Sequence, residues 1–191
     1  MAIKGVRSTG KTRGGASGAT ALEVFQIKDA YATAIGNGDP VAFGTLGNAG
    51  YIIQCGESAV PVGILRGVEY FNADGAWTVR RDFPASTSNT GVIDGVYSDV
   101  KALVEPVENR VFQMVTSDTA LTQAMIGSTY RIKDVGTVVN GLSQAVVDLD
   151  ATVSTETRLV RILGLSEIPG NALGTGAVVD VEFVNAVGDA T

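Results

Sequence analysis

Twenty-four glycines are scattered through the 191 residues, and they fall between short runs rich in valine, isoleucine, threonine and aromatic side chains. That arrangement constrains the chain more than any other feature. Glycine supplies the positive φ of tight turns, whereas β-branched and aromatic residues suit a pleated, half-buried surface. The glycines follow no fixed period, which excludes collagen. Long stretches of Leu, Glu and Lys are missing, so strands are favoured over helices. Hydrophobic residues make up 45% of the chain, enough to fill a sizeable core.

Turn signals divide the chain into expected strands. The run 30–35 stops at Gly36-Asn37-Gly38-Asp39-Pro40, after which 41–46 and 51–55 form a hairpin or meander around Gly47-Asn48-Ala49-Gly50. Residues 62–71 and 76–83 flank Asn72-Ala73-Asp74-Gly75, whose Asp-Gly pair predicts a hairpin. Segment 82–95 contains Pro84 and is expected as a long surface loop. Further strands are expected over 99–106, 110–117, 128–134, 143–150, 158–165 and 177–185. Alternation is cleanest in the last two, where Val160 and Ile162 oppose Arg161, and Val179, Val181 and Phe183 oppose Asp180 and Glu182. The best helix candidate is 119–126, with Ser117 or Asp118 to cap it and Gly127 to end it. Roughly ten short strands and one short helix predict an all-β body, a compact barrel or jelly roll.

The charge is unevenly placed. Residues 1–20 hold Lys4, Arg7, Lys11 and Arg13 and no acid, an arm of +4, so the rest of the chain carries −10 within the net −6. With little to bury, 1–20 is expected as a basic flexible arm that orders only against a partner, and 21–191 as a single body. An acidic body repels phosphates, so nucleic acid is not an expected partner. No apolar run approaches the ~20 residues needed to span a bilayer, so neither is a membrane. No apolar segment follows the first charges, so no secretory signal is read, and synthesis in the cytoplasm is expected.

There is no histidine, which removes Ser-His-Asp and Cys-His pairs and most transition-metal sites. Cys55 is the single cysteine, with no partner for an intrachain disulfide, and is expected to be a small buried residue. Gly5-Val6-Arg7-Ser8-Thr9-Gly10-Lys11-Thr12 matches the phosphate-loop pattern G-x-x-x-x-G-K-[ST] letter for letter. Only four residues precede it, and Gly14-Gly15 follow where a helix is required, so the match is read as coincidence. Asp148 with Asp150, and Asp180 with Glu182, could act as paired acids, but a solvated strand face is the simpler reading. No calcium-loop pattern is present. Trp77, Tyr70 and Phe71 flank one turn and are expected to make cross-strand aromatic contacts, with a carbohydrate platform as the functional alternative. No enzyme active site, cofactor or metal site is expected.

From Gly38 onward the layout resembles tailed-bacteriophage capsid decoration (cement) proteins. The matching segments are Gly38-Asp39-Pro40-Val41, the stretch Pro61–Tyr70, the loop Phe83-Pro84-Ala85-Ser86-Thr87, the strand Val111–Met114, and the closing pair Arg161–Leu165 and Val178–Asn185. Together they cover about three quarters of the chain as a succession of short patterns. The resemblance implies a β-tulip-like or jelly-roll body, a homotrimer at three-fold and quasi-three-fold positions, and attachment to the major capsid protein on the virion exterior. On that reading Lys4, Arg7, Lys11 and Arg13 are the capsid-contact candidates. Alternatives are another virion part (tail, fibre or head-completion protein) and a β-sandwich carbohydrate-binding module.

Overall fold

The computed structural model describes residues 4–12, 21–28, 31–56, 59–71, 75–84, 100–150 and 159–184. They hold fourteen strands: β1 (Arg7–Thr12), β2 (Glu23–Gln26), β3 (Pro40–Phe43), β4 (Ile52–Gln54), β5 (Gly63–Phe71), β6 (Trp77–Arg80), β7 (Lys101–Pro106), β8 (Arg110–Val115), β9 (Thr129–Lys133), β10 (Val138–Val139), β11 (Leu142–Ser143), β12 (Val146–Asp148), β13 (Leu159–Leu165) and β14 (Val178–Val184). The all-β expectation holds, with 52% of the described residues in strands and 4% in helical turns.

The strands form two six-stranded antiparallel sheets and the small hairpin β10–β11. The first sheet runs β1-β8-β14-β13-β9-β12, and the second β2-β7-β5-β3-β4 with β6 also on β5. Each sheet curls back on itself. In the first, Thr116 bridges Val147, and the Ser117 amide donates to the Val147 carbonyl at 2.8 Å, bringing β12 to the end of β8. In the second, Ile27 bridges Ile52 and brings β2 to β4. These bridges bring the sheet ends together around a core, while β6, paired only with β5, stays an edge strand.

Two cores result. Phe112, Met114, Ile132, Val160, Ile162, Val179 and Val181 fill the first, and Ile35, Val41, Ile52, Leu65, Val68 and Phe83 fill the second. Phe112 and Phe183 meet edge to face at 5.6 Å in the first core. Burying each such side chain stabilises the fold by roughly 1.5–3 kcal/mol. The alternation in 158–165 and 177–185 therefore does what period two predicts, with its apolar set inside and Arg161, Asp180 and Glu182 on the other face.

Glycine decides two close approaches. At Gly63 a Cβ would lie 2.2 Å from Val104 Cγ1, so β5 and β7 can pair closely only without a side chain there. At Gly36 a Cβ would lie 2.7 Å from the Ser143 amide, where the two halves meet. The predicted 62–71/76–83 hairpin is present as β5–β6, with Phe71 opposite Trp77; residues 72–74 of its turn lie outside the described residues.

Two expectations change, and an overlap between two others is resolved. Segment 119–126 forms only one 3-10 turn, Gln123–Met125, with Thr122 before it and no side-chain cap. The Leu121 amide is committed to the Gly174 carbonyl at 2.9 Å and its side chain is buried, which holds the segment extended instead of letting it wind. Phe83, where the expected strand 76–83 and the expected surface loop 82–95 overlap, follows the strand reading, 1% exposed and exchanging both backbone hydrogen bonds with Ile35; 85–95 lie outside the described residues. Lastly, part of the expected flexible arm is an ordered strand. Arg7–Thr12 pairs with β8, and Val6 just before it is buried in the first core. The polar side chains of 7–12 concealed a backbone ladder, which contributes without regard to side-chain polarity.

Candidate functional site

The two sheets meet along a polar seam. A bulge in β5 between Leu65 and Gly67 turns Arg66 away from the ladder and into this seam, a common use of a bulge. There Arg66 Nε donates to Glu105 Oε2 at 2.7 Å, and Nη1 donates to the Val6 carbonyl at 2.8 Å. Glu105, only 2% exposed, also accepts from Ser8 Oγ at 2.7 Å and lies 3.6 Å from Arg110. One buried carboxylate thus ties β1, β5, β7 and the start of β8 together.

Asp39 makes a second tie. It is fully buried and accepts from the Gly36 amide (2.8 Å), the Ser143 hydroxyl (2.5 Å) and the Gly136 amide (3.3 Å). Burial pushes its carboxyl above the usual range, and the Ser143, Gly36 and Gly136 hydrogen bonds only partly offset this. By sequence Asp39 is a turn residue, and Arg66, Glu105 and Ser143 carry no motif. No local signal marks the seam, since Arg66 shares the largely apolar run 62–71 with a second charge, Glu69.

The four predicted cations do not gather into one site. Lys4 is exposed before β1, Arg7 is half-buried on β1, and Lys11 is 54% exposed with its Nζ 4.0 Å from Asp180. Arg13 lies outside the described residues. Within the phosphate-loop match Gly5–Thr12, Arg7–Thr12 is a strand, its backbone paired with β8 through a bulge between Ser8 and Lys11, and so not curled around a phosphate.

The acid pairs are engaged in the fold. Asp148 Oδ2 accepts from Arg131 Nε at 2.8 Å, and Lys133 stands 3.7 Å from Oδ1. Burial pushes Asp148 up, but the Arg131 hydrogen bond, the Asp150 amide and the charges of Lys133 and Arg131 outweigh it and hold the carboxyl below its ordinary range. Asp150 accepts from the Thr119 hydroxyl, Asp180 accepts from Ser166, and Glu182 pairs with Arg161 at 2.9 Å. The carboxylates expected on a solvated face are therefore ion-paired and hydrogen-bonded across strands. Cys55 is buried as expected, its thiol 3.2 Å from the Ala59 carbonyl. Among the described residues no three Cys, Asp or Glu side chains gather as a metal site, and no helix is long and apolar enough to cross a membrane.

Among the described residues, several exposed apolar side chains gather on the outer face of the second sheet. Register puts Phe71, Trp77, Val79, Glu69, Lys101, Leu103 and Val24 on one side of β6-β5-β7-β2. Val68, Tyr70, Ala102 and Val104 point to the core on the other side. Of the outer set, Val79 is 61% exposed, Val24 57%, Phe71 49% and Trp77 44%. Phe71 packs edge-on against Trp77 at 4.9 Å, and Lys101 Nζ lies 5.4 Å from the Trp77 ring centroid. The expected cross-strand aromatic contact is this Phe71–Trp77 pair, while Tyr70 belongs to the core. This face groups exposed apolar side chains around the edge-strand Trp77 with Lys101 beside it, side chains of the kind found at protein interfaces. Comparison with known protein families, with curated proteins and with solved structures gives no match.

Proposed function

We propose that this chain is a structural virion protein that binds the outside of a tailed-phage capsid and stabilises it, acting as a homotrimer on the major capsid protein. The observation that carries the reading is the exposed apolar face of Val24, Phe71, Trp77 and Val79 on a body whose buried carboxylates serve as cross-links. A cement protein needs a rigid body and a surface to present, and no reacting group. Weak contacts repeated by symmetry then add up to firm attachment.

In this reading the apolar face lies on the shell, and the exposed cations Lys4 and Lys11, before and on β1 of the first sheet, meet acidic patches of the partner. Lys11 also neighbours Asp180, so its role is shared between the fold and the partner. The short sequence patterns from Gly38 onward that resemble decoration proteins favour the capsid over other virion parts. Quantitative mass spectrometry of purified particles tests this directly. Near one copy per major capsid subunit is expected, whereas a handful per particle assigns the chain to a tail or a single vertex.

A further inference from the structure

Among the described residues, β1 is the one strand out of chain order. Apart from it, the first sheet is built from residues 110–184 and the second from 23–106. β1, the first described strand, joins the first sheet and is followed by strands of the second. It fills a slot between β8 and the approach to β12: Arg7–Thr12 pairs with β8, and the Gly5 amide donates to the Ala145 carbonyl at 3.0 Å.

The slot has a defined fit. Val6 plugs the first core, its amide donates to the Gly38 carbonyl at 3.0 Å, and its carbonyl accepts from Arg66. Ser8 donates to the buried Glu105. The acceptor groups belong to the body and require a strand of this sequence. Nothing in the slot requires that strand to come from the same chain. Ten residues, 13–22, separate β1 from β2, and fully extended they reach about 33 Å. Their first six are Arg13-Gly14-Gly15-Ala16-Ser17-Gly18, a composition with little to bury. Release of β1 withdraws only one wholly buried apolar side chain, Val6, from the core.

We propose that β1 is a donor strand exchanged between copies of this chain, each copy's residues 4–12 filling the slot of a neighbour in a closed oligomer. The slot contacts are the same whichever copy supplies the strand, so exchange sacrifices none of them and adds the surfaces that the neighbours bring together. The inference concerns self-association alone and holds whether or not the assembly sits on a capsid.

Arg7 faces Gln113 across the β1–β8 ladder. An Arg7→Cys/Gln113→Cys variant in a Cys55→Ala background therefore reports which chain supplies the strand. After mild oxidation, a non-reducing denaturing gel is expected to show covalent dimers and larger species that collapse to monomer with reductant, with none in the two single-cysteine controls. Thiols consumed within a monomer band overturn the proposal. If the thiols stay reduced, native mass spectrometry of the parent protein decides. An oligomer that dissociates on deletion of residues 1–12, or in the milder Val6→Ser variant when the deletion does not fold, supports exchange. A monomeric parent, or an oligomer that both changes leave intact, contradicts it.

Discussion

The two sheets have similar interiors and opposite exteriors. Inside, both are lined with valine, isoleucine and phenylalanine. Outside, the first sheet carries cross-strand ion pairs, Arg161 opposite Glu182 and Arg131 opposite Asp148. The outer face of the second carries Val24, Phe71, Trp77 and Val79, with Lys101 and Glu69 opposite each other between them. Charges directly opposite on a ladder stabilise a face that stays in water, and they discourage association. Exposed aromatic and branched side chains do the reverse. On the proposed reading the second sheet supplies the apolar contact surface, and the ion-paired face of the first serves the fold.

The largest effect is expected where the two halves join. Glu105→Ala leaves Arg66 and Arg110 facing each other without their shared carboxylate and removes the anchor for Ser8. Breaking a buried pair in this way costs about 3–5 kcal/mol. Urea unfolding is expected to show that loss. A loss no larger than that of an exposed ion pair, under about 1 kcal/mol, would show the seam to be dispensable.

The next effect separates two buried carboxylates by pH. The carboxyl of Asp148 is held below its ordinary range, so its contribution is present above about pH 4, near the unfolded value, and is lost as pH falls through the folded value. Asp39 is held above its range, so its contribution is fully present below about pH 4 and is lost as pH rises through the raised value. Asp148→Asn should therefore cost most at neutral pH and least in acid, and Asp39→Asn the opposite. Denaturant midpoints of the two variants against the parent across pH 3–7 check this, and matching pH trends would refute the assignment.

Much of this fold was legible in the sequence, because period-two alternation and turn residues act locally. The paired strands β13 and β14 and the β5–β6 hairpin follow directly from such signals. β1 was not legible, since Arg7–Thr12 owes its place to backbone pairing with a strand about a hundred residues away. Nor was the seam, because Glu105 and Arg66 are nearly forty residues apart and meet through a bulge that leaves no mark in the hydrophobic pattern. Trp77 and Phe71 were visible as an aromatic pair. That Val24 and Val79 join them on one face emerges only from the register of four strands.

The smallest effect on stability should be the largest on function. A Trp77→Ala/Val79→Ser variant alters side chains that are already 44% and 61% exposed, so its melting temperature should fall only slightly. An Arg161→Ala/Glu182→Ala variant serves as its counterpart on the first sheet. The decisive measurement is co-sedimentation of parent and both variants with capsid shells lacking this protein. The account predicts at least a roughly tenfold weaker attachment for the second-sheet variant, the loss of a single interface anchor, and near-parental attachment for the first-sheet variant. Parental attachment by the Trp77→Ala/Val79→Ser protein, or loss confined to the first-sheet variant, would contradict it.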